Sequence, residues 1–197
     1  MDKNERPVRR RLKADDRRRQ IVETAFDTIA EKGFEGLRTR DVAERVGINS
    51  ATLHHYFPTK EALVEGVAEH LERLYARTRA PTREDALGKL RQEFADVAYF
   101  RREHPRTWTV SREFMLRAPR DPTVAAVIAR LNERWRASVE QVLTEGRDAG
   151  VFHAMRDPAA AAAAVVGALW GSIVLTEPDE ARFTAICEEI ETWLRTY

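Results

Sequence analysis

Apolar residues recur at helical spacing along almost the whole chain. Ile21, Val22, Ala25, Phe26, Ile29 and Ala30 form one stripe, and Gly33 ends it. Val42, Ala43 and Val46 mark a short helix that stops at Gly47, a residue that takes positive φ at little cost. Asn49 then caps a second short helix that buries Leu53 and Phe57. Thr59 caps a longer helix carrying Leu63, Val64, Val67, Leu71 and Leu74, which Pro81 ends. Further helix starts are read at Thr82-Arg83-Glu84-Asp85, at Arg106, at Asp121-Pro122 and at Asp157-Pro158, and Pro178 introduces the last helix. No alternating β-branched run marks a strand, although Ile173-Val174-Leu175 is locally ambiguous. The pattern predicts an all-α protein.

Two short helices joined by a Gly-containing turn over residues 38–57 read as a helix-turn-helix, whose second member is sized for the DNA major groove. Such a module needs side chains that grip phosphates and side chains that reach base edges. Asn49, Ser50, Ala51, Thr52, His54 and His55 are the outward residues of the reading helix, with Asn49 serving first as its cap. His54 can donate to a phosphate in either protonation state. Tyr56 offers a hydroxyl for a phosphate while its ring packs inward, and Arg38 adds a cation at the edge. Lys60, beside the N–H groups that open its helix, offers another phosphate grip. Adjacent histidines on a helix diverge by ~100°, so His54 and His55 do not form a metal site.

The run Thr39-Arg40-Asp41-Val42-Ala43, then Gly47, Thr52-Leu53 and His55-Tyr56-Phe57-Pro58-Thr59-Lys60-Glu61-Ala62-Leu63, resembles the DNA-binding domain of the TetR family of one-component bacterial regulators. Ala25, Phe26, Gly33 and Phe34 extend the likeness upstream. The resemblance implies an N-terminal three-helix helix-turn-helix domain over residues 17–77 and a larger helical effector-binding and dimerisation domain over 78–197. It also implies that Thr39 and Arg40 hold the DNA backbone. Ser50 and His54 depart from the family, which frequently has Lys, Arg or Gln at the first position and Tyr at the second. The binding mode carries over; the base preference does not.

Under that resemblance the C-terminal half must explain dimerisation and sensing. Phe183, Ile186, Ile190 and Trp193 recur at three, four and three residues, beside a helix whose Ala160, Ala164, Gly167, Ala168 and Gly171 let backbones approach closely. Together they are expected to form a four-helix interface across a two-fold axis. Phe94, Tyr99, Phe100, Trp108, Phe114, Met115, Trp135, Phe152 and Trp170 supply large apolar surfaces. Of these, Phe94, Trp108, Phe114, Trp135 and Trp170 are taken as the effector site, with Trp108, Trp135 and Trp170 converging from three helices. His104, Arg112, Glu113 and His153 are the conceivable polar anchors.

Composition adds two points. The net charge of +1 hides an uneven distribution, because residues 1–19 hold nine Lys/Arg against four Asp/Glu. Residues 1–16 therefore read as a flexible basic arm that reaches phosphates beside the reading helix. Catalytic chemistry has no footing: G-x-S-x-G, H-E-x-x-H, P-loop and Cys/His metal spacings are all absent from the sequence, so no catalytic residue, metal or cofactor is expected. No apolar run nears the ~20 residues of a membrane span, and the single Cys187 fits a reducing cytoplasm. The expected partners are a near-palindromic double-stranded operator, a second copy of the chain and a small hydrophobic or amphipathic effector. The expected role is a repressor at the bacterial nucleoid. Activation, or a protein partner or constitutive architectural binding in place of a small molecule, are the alternatives.

Overall fold

The computed structural model describes residues 5–77, 85–153, 157–174 and 179–195. Its helices are α1 (Glu5–Lys32), α2 (Thr39–Val46), α3 (Ser50–Tyr56), α4 (Lys60–Arg77), α5 (Ala86–Glu103), α6 (Pro105–Arg117), α7 (Pro122–Asp148), α8 (Pro158–Val174) and α9 (Glu180–Leu194). Two short 3-10 turns, Phe34–Gly36 and Ala118–Arg120, join α1 to α2 and α6 to α7. Among the described residues no strand forms, and one isolated bridge pairs Phe152 with Arg195. The expected all-α class is what the protein adopts.

Local chemistry sets most helix starts. Asp85, Asp121, Asp157 and Asp179 each turn a side-chain oxygen back onto a backbone N–H of the first turn, as does Asn49 for α3. Each such cap is worth about 1 kcal/mol. Gly47 closes α2 in the left-handed conformation at φ 74, and Gly33 follows α1 at φ 67. The stops proposed at Pro81 and the starts at Thr82–Glu84 and Pro178 lie outside the described residues. So does Leu175, while Ile173 and Val174 continue α8.

The segment expected to be a flexible arm is instead helical from Glu5, as the first part of α1. Its Arg, Lys, Leu and Ala residues are good helix formers, and Asp16 pairs with Arg19 at i, i+3. The arm was read from charge and missing apolar residues, and neither forbids a helix that continues an anchored neighbour.

The fold divides into two compact units. The first comprises the residues up to Leu74 together with Thr109–Val127; the second comprises Tyr75–Trp108 and Ile128 onward. The expected boundary near residue 78 thus omits a piece of the first unit, the C-terminal part of α6 and the start of α7. Phe114 packs edge-on against Phe34 at 4.9 Å between centroids, and Arg117 pairs with Glu35 at 2.9 Å. The Glu113 carboxylate accepts the Phe34 N–H at 3.2 Å. These contacts span about eighty residues of sequence, so no local signal announces them.

In the first unit Ile21, Ala25, Ile29, Val42, Leu53, Leu63, Val67 and Leu71 are fully buried. In the second unit Leu90, Val139, Leu143, Phe152, Ala162, Val166, Leu169, Phe183, Ile190 and Leu194 form one core. Arg91 closes that core's edge with a two-pronged pair to Glu191, 2.8 Å from Nε and 2.6 Å from Nη2. The guanidinium holds the Glu191 carboxyl below the usual carboxylate range.

Candidate nucleic-acid interface

The reading helix α3 is seven residues long and stands on two buried side chains, Leu53 and Phe57, 0% and 1% exposed. The guanidinium of Arg18 lies 4.9 Å from the centre of the Phe57 ring and reaches Glu69 at 3.5 Å. Asn49 Oδ1 accepts the Thr52 N–H at 2.8 Å, so Asn49 is the helix cap that the sequence predicted. With Leu53 inward, Asn49, Ser50, Ala51, His54 and His55 are exposed, and Thr52 and Tyr56 are half-buried on the flank. The rings of His55 and Tyr56 meet edge to face at 5.5 Å.

Two helix starts flank this surface in sequence. Arg38 is exposed in extended backbone ahead of α2, with Thr39 half-buried and Arg40 exposed in its first turn. Thr59 Oγ1 accepts the Ala62 N–H at 3.1 Å, leaving Lys60 exposed at the first position of α4. Among the described residues Arg38, Arg40 and Lys60 make no ion pair. Arg45, by contrast, is held by Glu31 at 2.8 Å, and that bond pushes its guanidinium further up in pKa. The module thus separates engaged cations from available ones. Sequence reading missed Arg18 and Arg45, because their acidic partners lie on other helices.

A match to the family model described as bacterial regulatory proteins, tetR family, covers residues 21–67, spanning the helix-turn-helix. A second model, the BetI-type transcriptional repressor C-terminal domain, matches residues 86–191, more than half of the chain. The chain belongs to the TetR family. Among curated relatives, CymR of Pseudomonas putida is 30% identical over 131 residues, spanning 62% of this chain and 61% of CymR. RutR of Escherichia coli K12 is 31% identical over 98 residues, 50% of this chain and 42% of RutR. A Saccharomonospora viridis protein described as a transcriptional regulator, solved in complex with choline, superposes with a TM-score of 0.77. That superposition covers 91% of this chain and 95% of the other at 22% identity, a likeness of fold.

The second unit of this TetR-family chain brings together three of the five expected effector residues. The rings of Trp108 and Trp170 lie nearly parallel with centroids 6.3 Å apart, and Trp135 meets Trp170 at 77° and 5.7 Å. Phe94 is in the core of the same unit, whereas Phe114 belongs to the first unit against Phe34. The polar groups that bond these indoles are not the four named as conceivable anchors. Glu93 accepts from Trp135 Nε1 at 3.0 Å and from Ser138 Oγ at 3.1 Å, and Asn132 Oδ1 accepts from Trp170 Nε1 at 2.9 Å. Glu113 is committed to the Phe34 N–H, His104 packs on Tyr99 and Phe100, and Arg112 and His153 are exposed. Trp170 and Asn132 also line an open groove of ≈ 820 Å³ between α7 and α8, with Arg130, Arg134, Arg136 and Glu133.

The expected dimer seam needs correction. Phe183 and Ile190 are 6% and 1% exposed because they fill the core of their own unit. Ile186 is half-buried and Trp193 is 59% exposed, its Nε1 donating to Glu189 at 2.8 Å. An apolar stripe reports that a helix packs against something, and here that something is α9's own unit. On α8, Ala164 and Gly167 are exposed and Ala168 and Gly171 half-buried, so the small-residue face does point outward. Among the described residues, no atom beyond the chain neighbours and the helix's own backbone lies within 4 Å of where a Cβ on Gly167 would sit.

Proposed function

We propose that this protein is a homodimeric transcriptional repressor that binds a near-palindromic double-stranded DNA operator and is released from it by a small amphipathic effector. The observation that carries the reading is the first unit's division of labour. A capped helix turns a polar surface outward, while exposed cations that make no ion pair among the described residues stand at the starts of the helices before and after it. Arg38, Thr39, Arg40, Tyr56 and Lys60 are the phosphate grips, and Ser50, Ala51, Thr52 and His55 face the bases. Two copies related by a two-fold axis would place two reading helices about one DNA turn apart. The small-residue face of α8, with Ala164, Gly167, Ala168 and Gly171, together with Ile186 and Trp193 of α9, is the pairing surface.

For the effector, the indoles of Trp108, Trp135 and Trp170 with the Glu93 carboxylate offer an aromatic wall next to a negative charge. That chemistry favours an apolar molecule bearing a cationic group. The S. viridis regulator's choline is one such molecule and a first probe. An effector acts through its unequal affinity for two conformations, and a coupling of ~1–3 kcal/mol weakens operator binding roughly 5–150-fold.

The deciding experiment selects DNA from a random pool with the pure protein, then titrates the selected duplex at several salt concentrations. Arg40→Ala and Lys60→Ala should each weaken binding across all sequences and flatten the salt slope by about one. Unchanged slopes in both variants would remove the phosphate assignments, and a pool that never enriches would remove the DNA-binding reading.

A further inference from the structure

We propose that His54 reads an exocyclic amino group in the major groove, selecting adenine or cytosine over guanine or thymine at one position of each half-site. The proposal rests on the DNA-binding reading above. Its ground is a single contact: the Nδ1 of His54 lies 3.3 Å from the carbonyl oxygen of Pro58. A carbonyl oxygen only accepts, so Nδ1 must carry the proton. In the neutral ring the other nitrogen, Nε2, is then a bare acceptor.

The acceptor carbonyl is well held. Pro58 follows Phe57, which is 1% exposed, and precedes Thr59, whose hydroxyl caps α4. Pro58 thus ties the ring to the turn between two helices.

His54 itself is exposed on α3, three and four residues beyond Ala51 and Ser50, and so shares their flank of the helix. Ser50 and Ala51 are short, so His54 is the side chain of that flank with reach. Across the major groove, adenine N6 and cytosine N4 donate, whereas guanine and thymine offer acceptors. A phosphate oxygen also only accepts, and it repels a bare Nε2. This reverses the expectation that His54 grips a phosphate in either protonation state: in the neutral ring the proton needed for that grip is spent on Pro58.

The test selects operators with wild type, His54→Phe and His54→Ala at about pH 8. Wild type should enrich A or C at one position per half-site, and both variants should lose that one preference while keeping the others. Replacing the selected adenine by purine, which lacks the 6-amino group, should weaken wild type roughly 2–10-fold and leave His54→Phe unchanged.

Identical positional preferences in all three proteins would overturn the assignment, leaving the Pro58 contact a purely structural tether. A preference for G or T at the affected position would overturn it as well, as would uniform weakening across all sequences. A wild type that enriches no sequence would instead overturn the DNA-binding reading on which the assignment stands.

Discussion

The two units of this protein are specified in different ways. In the first, the features that make a reading helix are short-range. Gly47 closes α2, Asn49 caps α3, Thr59 caps α4, and each acts within four residues of itself. In the second, the features that matter link distant residues: Glu93 with Trp135 and Ser138, Asn132 with Trp170, Arg91 with Glu191. A site written in caps and turns is legible from sequence, because the same few residues must carry it wherever the motif occurs. A site assembled across helices is written in side chains whose types are common everywhere.

The sharpest way to break this contrast is to remove one buried side chain from each unit. Ile190→Asp places a charge without a partner in a core position that is 1% exposed, and it should unfold the second unit at a cost above about 4 kcal/mol. Leu53→Ala should cost roughly 2–5 kcal/mol in the first unit and abolish operator binding. Near-UV circular dichroism with thermal melts reads both. A natively folded but monomeric Ile190→Asp protein would return Ile190 to the dimer seam.

Gly167→Glu sharpens the same distinction at the surface. With open space where the new Cβ would sit, the protomer should keep its fold. Sedimentation should find monomers, and operator affinity should fall because the two half-sites are no longer read together. An unaltered dimer would exclude this face of α8 as the pairing surface.

Asn49→Ala tests the short-range logic directly. Losing the bond to the Thr52 N–H should cost about 1 kcal/mol, with Asn49→Ser recovering most of it. Chemical denaturation of the two variants checks this. Equal destabilisation by Ala and Ser would point to a role other than the cap.

The smallest effect belongs to the long-range pair. Arg91→Ala should lower stability by at most about 1 kcal/mol, since the Arg91 side chain is 55% exposed and solvent screens the pair. Glu191's carboxyl is depressed in the folded state, so its contribution is present above the unfolded carboxylate value of about 4.3 and fades as pH falls below it. Melting curves from pH 7 to pH 3 should therefore converge for wild type and Arg91→Ala at the acid end. Curves that stay parallel would assign the loss to packing of the Arg91 stem.

What sequence reading caught and missed follows from the same contrast. The helix order, the Asp and Asn caps and the convergence of three tryptophans were legible, because periodicity and capping are local and the large aromatics are few. The seam at Phe183 and Ile190 was misread because a stripe at i, i+3 and i+7 looks the same whether it meets its own core or a partner. The α6 segment from Thr109 escaped the first unit because Glu113 and Arg117 are ordinary helix residues until Phe34 and Glu35 are brought beside them. The bonds of Glu93 to Trp135 and Ser138 escaped for the same reason.

Position 33 shows what such a junction means for a lineage that accumulates changes. Two independent vetoes meet there. The backbone sits at φ 67, and a Cβ would lie 2.9 Å from the Glu113 oxygen that accepts the Phe34 N–H. Swinging Glu113 aside would relieve the crowding but strip the Phe34 amide of its acceptor and leave the dihedral strain untouched. A single substitution at Glu113 therefore cannot rescue an alanine at position 33. Random libraries should recover glycine at that site long after the exposed surface of α3 has diverged, so that the bases a descendant reads drift freely while the turn after α1 stays the same.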